Sequence, residues 1–117
     1  MTLNKIREIL EAEEISGIGS AGKEINTVCG CDLMSDVLTL NKPNGLLLTG
    51  LTNPQVIRTV EMADIEAVCF VRGKKPQTET IELAKGKNIP LLMTRLSMFE
   101  SCGRLYTEGI RGSDNTK

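Results

Sequence analysis

The 117-residue chain has no histidine and no tryptophan, and aromatic residues make up only 3% of it. Histidine is the commonest general base and transition-metal ligand, so its absence weighs against most hydrolytic and zinc chemistry. Scarce aromatics remove the platforms on which bases stack and leave an aliphatic core. A surplus of charge is missing too. Fourteen basic residues face fifteen acidic ones for a net −1, with the signs interleaved, so no positive field gathers nucleic acid or anionic membrane. No apolar run approaches the roughly 18 to 20 residues of a membrane span, and Met1 to Glu14 reads as a charged amphipathic segment rather than a signal peptide. The expectation is a cytoplasmic protein with neither a nucleic-acid nor a membrane partner. In that compartment the four cysteines are reduced thiols.

What is there suffices for a single domain with a real core. Leu3, Ile6, Ile9 and Leu10 recur at helical spacing, and Glu11, Glu13 and Glu14 crowd the far end of that helix. Ile15 to Ala21 is rich in glycine and serine and reads as loop, and Ile25 to Cys29 reads as a short strand. Residues 1–44 are thus a helix, short strands and an opening helix at Leu33 to Leu38. From about residue 45 the pattern becomes regular. "GLLLTG", "EAVCFVRG" and "IPLLMTR" are apolar runs of strand length, suited to burial on both faces of a parallel sheet.

Each run precedes a helical segment. The first places Val56, Val60 and Ala63 on one side after Pro54, a residue suited to the first helical position. The second contains Pro76, Ile81 and Ala84. The third opens with Ser97-Met98-Phe99-Glu100, a capping box, and carries Met98, Cys102 and Leu105 as its apolar stripe with Phe99 and Tyr106 alongside. Gly50 to Gly73 spans 23 residues, Pro54 to Pro76 22, and Gly73 to Thr94 21, the spacing of successive βα units. The predicted fold is α/β, a single domain with a mostly parallel or mixed sheet, three βα units over 45–110, flanking helices and a flexible tail at 111–117.

In an open α/β sheet, ligands collect beyond the carboxyl ends of parallel strands near a topological switch point. The residues expected at that edge include Thr49, Gly50, Asn53, Arg72, Gly73, Lys74 and Thr94, with Lys75 and Arg95 beside them. Glycines allow close backbone approach, helix N-termini favour anions, and arginine or lysine neutralises phosphate. These seven are the candidate ligand-binding residues for a small anion such as a nucleotide. Ordinary turn chemistry with solvated lysines accounts for the same residues, and neither GxGxxG nor GxxxxGK[ST] occurs.

Asp32 and Asp36 share a helix face in a short candidate acid pair, but Asp32 before Leu33-Met34-Ser35 is a natural N-cap and Asp36 suits the first turn. Cys69 and Cys102 read as small core residues. Cys29 and Cys31, flanking Gly30, are the remaining metal or redox candidates. Soft thiolates suit iron–sulfur or zinc, yet a tetrahedral site needs about four ligands. Two chains contributing two each would supply them. No catalytic residue and no resident cofactor are expected.

The stretch "EAVCFVRGKKPQTETIELAKGKNIPLLMTRLSMFESCGRLYTEGI" resembles the DRTGG domain family, with the likeness running from about Asp32 to Ile110. It rests on the strand ending Val71-Arg72-Gly73, on Pro76, on "IELAKGKNIPLLMT", and on Phe99 to Leu105; "DLMSDVL" is similar to the opening segment of stand-alone members. Related domains occur in phosphate acetyltransferases and beside CBS pairs in pyrophosphatases, and resemble the N-terminal domain of HPr kinase. The resemblance implies a mixed-sheet α/β domain, commonly a homodimer, that regulates or senses a ligand and is not an enzyme. Stand-alone members are often encoded near iron-only hydrogenases, which keeps an accessory redox role for Cys29 and Cys31, and an interaction subunit of a larger enzyme, as alternatives. This chain has Arg72-Gly73-Lys74 where the family pattern is Thr-Gly-Gly. The departure keeps one glycine and adds charge.

Overall fold

The computed structural model describes residues 1–17, 19–39 and 43–112. In chain order its elements are α1 (Leu3–Ile9), β1 (Glu13–Ser16), β2 (Thr27–Gly30), α2 (Met34–Val37), β3 (Gly45–Thr49), α3 (Gln55–Met62), β4 (Ala67–Phe70), α4 (Thr78–Gly86), β5 (Leu91–Met93) and α5 (Met98–Thr107). The strands form one mixed sheet in the order β1-β5-β4-β3-β2, parallel throughout except for β1 against β5. The expected α/β class and the three βα units after residue 45 are therefore present.

The three apolar runs are strands because both their faces are covered. Every residue of β3 and of β4 is buried. Alternation then sorts the side chains. Leu46, Leu48, Ala67, Cys69 and Leu92 pack with Leu3, Ile6 and Leu10 of the first helical segment and Leu105 of α5. Leu47, Val68, Phe70 and Leu91 pack with Val37 of α2, Val56, Ile57 and Val60 of α3, and Ala84 of α4. The middle helices thus share one face of the sheet, and α1 and α5 share the other.

Several local expectations change. Glu13 and Glu14 do not extend the first helix; Glu11 turns left-handed at φ 52°, and the chain re-enters as the antiparallel edge strand β1, where Glu13 lies opposite Met93. An edge strand tolerates charged side chains that a central one would exclude. Pro54 is the N-cap of α3, and Pro76 stands ahead of Gln77, the N-cap of α4. Only half of the capping box forms: Ser97 Oγ accepts from Glu100 N at 3.1 Å, while the Glu100 carboxylate takes Arg104 Nε at 3.1 Å. Phe99 and Tyr106 turn outward, 85% and 61% exposed. Arg111, expected in the flexible tail, pairs with Thr27 at the edge of β2 and lies over the Tyr106 ring, 4.2 Å from its centroid; positions 113–117 of that tail lie outside the described residues. Among the described residues no helix is long and apolar enough to cross a membrane.

One topological expectation also changes. The parallel strands β2 to β5 follow one another in sequence order across the sheet, so the parallel part has no reversal and no switch-point crevice. Their carboxyl ends form a shallow row instead, and that row carries the candidate site.

Leu47 is fully buried on β3, between β2 and β4. Leu47→Ala is expected to lower stability by about 2–5 kcal/mol, read as a shift in the urea midpoint. A loss below about 1 kcal/mol would mean that this layer does not form the tight core described.

Candidate functional site

Four neighbouring strand ends bring the polar residues together. Asp32 follows β2, Thr49 ends β3 and Gly50 follows it, Arg72 and Gly73 follow β4, and Thr94 and Arg95 follow β5. The strongest bonds of this edge belong to a residue that local reading assigned elsewhere. Asp32 is not the N-cap of α2: that position is Leu33, which makes no side-chain cap bond. The Asp32 carboxylate instead reaches across to β3, where Oδ1 accepts from Gly50 N at 2.7 Å and from Thr49 Oγ1 at 2.9 Å. The missed signal was an acidic residue directly after a strand, at the end where backbone amides of the neighbouring strand emerge.

These contacts set the charge state of Asp32. Its pKa lies below the ordinary 3.8, first because Gly50 N–H donates to it; partial burial opposes the shift, while the Thr49 hydroxyl and the cations Arg72 and Lys74 reinforce it. A carboxylate held ionised in this way is a weak base, better suited to holding a donor than to taking its proton.

The turn after β4 supplies the cations. Arg72 and Gly73 are both left-handed, at φ 61° and 66°. For arginine that conformation is unfavourable and persists where neighbours enforce it. Here Arg72 N donates to Leu96 O and Gly73 N to Thr94 O, each at 2.8 Å. The turn is thereby fastened to the exit of β5, and the Arg72, Lys74 and Lys75 side chains are left in solvent. A second fastening joins the other loops: Thr52 O accepts from Thr80 Oγ1 at 2.7 Å and from Gln77 N at 3.2 Å.

The expected site residues thus fall into two groups. Arg72, Gly73 and Lys74 stand exposed around Asp32, with Gly50 buried beneath them. Thr49 and Thr94 are buried, and their hydroxyls serve the framework: Thr94 Oγ1 donates to Leu10 O at 2.6 Å and accepts from Leu96 N, and Thr49 Oγ1 also accepts from Leu51 N. Asn53 Oδ1 accepts from Gln55 N at 3.0 Å, which sets the start of α3. A cavity of about 490 Å³, lined in part by Glu14, Ser16, Lys85 and Asn88, lies at the opposite end of the sheet and holds none of the expected residues.

Cys29 and Cys31 both pack against the core face that carries α2, α3 and α4. Leu33 N–H donates to Cys31 Sγ at 3.4 Å. Among the described residues no three His, Cys, Asp or Glu side chains are grouped to hold a metal ion. Cys69 is fully buried and its thiol is pushed up to about 12 by burial, and burial also raises that of the half-buried Cys102. Thiols so disfavoured from ionising are poor nucleophiles.

Because folding lowers the pKa of Asp32, its contribution to stability is complete above 3.8 and disappears as pH falls through the lower folded-state value. Wild type is therefore expected to exceed Asp32→Asn in urea stability at about pH 6, with the gap narrowing towards about pH 2. An equal gap at both ends would show that the charge of Asp32 contributes nothing.

No family model matches the chain, and no curated protein matches it. Among solved structures, the chain is similar to the crystal structure of the CBS and DRTGG domains of the regulatory region of Clostridium perfringens pyrophosphatase, complexed with its activator diadenosine tetraphosphate. The TM-score is 0.69 at 18% identity, over 97% of this chain and 51% of that one, so this chain spans about half the length of that structure. At this identity the likeness is one of fold, and it supports the resemblance to a DRTGG-like domain that Val71-Arg72-Gly73 and the Ile81 to Thr94 passage carry.

Proposed function

We propose that this chain is a non-catalytic, ligand-sensing regulatory domain that takes a small anionic ligand, a nucleotide, at the row of strand ends around Gly50, Arg72, Gly73 and Lys74. The observation that carries this reading is the meeting of exposed cations with an ionised, tethered carboxylate above backbone fixed by four strand ends. Cations on a preorganised loop attract phosphate at little ordering cost. The weak basicity of Asp32 suits holding rather than proton transfer. The pyrophosphatase regulatory region, about half of which this chain matches in fold, was crystallised with a dinucleoside tetraphosphate activator, and that favours a nucleotide among small anions. Self-association as a homodimer, and attachment to a larger enzyme, belong to the same reading.

Titration calorimetry with ATP and diadenosine tetraphosphate tests it. Arg72→Ala combined with Lys74→Ala is expected to weaken binding by about tenfold or more while leaving urea stability nearly unchanged, because both side chains are exposed. Nondenaturing mass spectrometry of the same samples reports ligand stoichiometry and subunit pairing together. Wild-type protein that binds neither nucleotide, or a double variant that binds as well as wild type, would reject the site.

A further inference from the structure

Gly50 is buried beneath two unlike side chains. The point where a Gly50 Cβ would sit is 3.1 Å from Arg72 Nη2, 3.6 Å from Asp32 Oδ2 and 3.7 Å from Asp32 Oδ1. Arg72 and Asp32 thus flank one spot, yet they form no ion pair with each other. The two oxygens of Asp32 have different duties. Oδ1 takes both Gly50 N and Thr49 Oγ1, whereas Oδ2 accepts no hydrogen bond among the described residues. The Gly50 amide beneath the two side chains is already used, so it offers an incoming group no donor.

A group bound across the exposed pair finds a guanidinium fork on one side, donor only, and a fixed carboxylate oxygen on the other, acceptor only. Resting on the reading above, we infer that Asp32 is the specificity-determining residue of this site. The pair selects a ligand that presents an anionic acceptor to Arg72 and a hydroxyl or amino hydrogen to Asp32 Oδ2. A nucleotide carries both kinds of group. An inorganic polyphosphate carries only acceptors and meets the Asp32 carboxylate as a like charge, an unpaired contact of the kind that gives discrimination by rejection. Lys74 strengthens attraction for either ligand and does not distinguish them.

Gly50 is the complementary handle. Its φ is not in the left-handed region, so alanine meets no backbone strain there, and the atom its methyl approaches most closely is the far end of the exposed Arg72. Gly50→Ala would push the Arg72 guanidinium away from Asp32 and leave the fold in place.

Calorimetric titration of the full chain with ATP and with sodium tripolyphosphate, on wild type, Asp32→Asn and Gly50→Ala, decides the matter. Wild type is expected to prefer ATP. Asp32→Asn should weaken ATP and tighten tripolyphosphate, cutting the preference about tenfold or more. Gly50→Ala should weaken ATP about tenfold or more with an unchanged circular dichroism spectrum; if it fails to fold, the affinity ratio of Asp32→Asn decides alone. An unchanged ratio in Asp32→Asn, or tighter ATP binding by it, overturns the inference, the latter outcome marking Asp32 as a mere competing anion. Equal binding of ATP and tripolyphosphate by wild type, lost on removing Arg72 and Lys74, keeps the anion site and rejects the selection. Binding of neither rejects both.

Discussion

Burial of β3 and β4 on both faces is the constraint from which the rest of the molecule follows. A strand covered on two sides leaves its side chains no route to water, so the runs Gly45–Thr49 and Ala67–Phe70 are apolar nearly throughout and polar groups are confined to their ends. A hydroxyl that remains inside costs less with a partner, although those of Ser16, Thr27 and Ser101 find none among the described residues. Thr49 and Thr94, at 0% and 1% exposure, obey that rule by bonding Asp32 and the Leu10 carbonyl. The demand for satisfied hydroxyls is thus one reason that a carboxylate is drawn to this edge and that α1 is fastened to the exit of β5.

The Asp32 contact has a consequence for the edge strand β2 as well. Only four residues of β2 pair with β3, and a ladder of that length at a sheet margin contributes little alone. The bonds from Asp32 to Thr49 and Gly50 extend the join past the last ladder pair, Gly30 with Leu48. The bridge between Thr27 and Arg111 guards the other margin of β2. Gly30 itself is fitted closely: a side chain there would come within 2.9 Å of Cys102 Sγ and Met98 Sδ. The Cys29-Gly30-Cys31 stretch therefore serves as a strand-to-helix junction in which the glycine makes room for α5 and the cysteines face the opposite core layer.

The central architecture was legible because each of its causes is local: three apolar runs, each followed by helical periodicity, state a βα repeat outright. The edge strand β1 was not, because Glu13 and Glu14 carry no apolar alternation, and an edge needs little. Asp32 was misread for a related reason. N-cap preference is a statement about the next few residues, whereas the partners that hold Asp32 lie 17 and 18 positions further along the chain. Likewise, spacing alone brought Thr49, Gly50, Arg72 and Thr94 to one end of the sheet, but which hydroxyls the framework would consume depends on burial, a property of the assembled layers.

With a net charge of −1 and interleaved signs, the molecule as a whole exerts no attraction that could gather an anion from a distance. Whatever discrimination the strand-end row has must come from contacts closer than the Debye length of about 8 Å at physiological salt. At that range geometry outweighs net charge. Arg72 and Lys74 lie close enough to Asp32 to act on its ionisation, so the edge is a field of opposed charges at short spacing rather than a basic patch. Such a field holds a ligand tightly only when donors and acceptors alternate in step with its own. A shallow row of tethered strand ends can in this way be selective without a deep crevice, because the bonds of Asp32 and of the Arg72-Gly73 turn supply the rigidity that enclosing walls would otherwise provide.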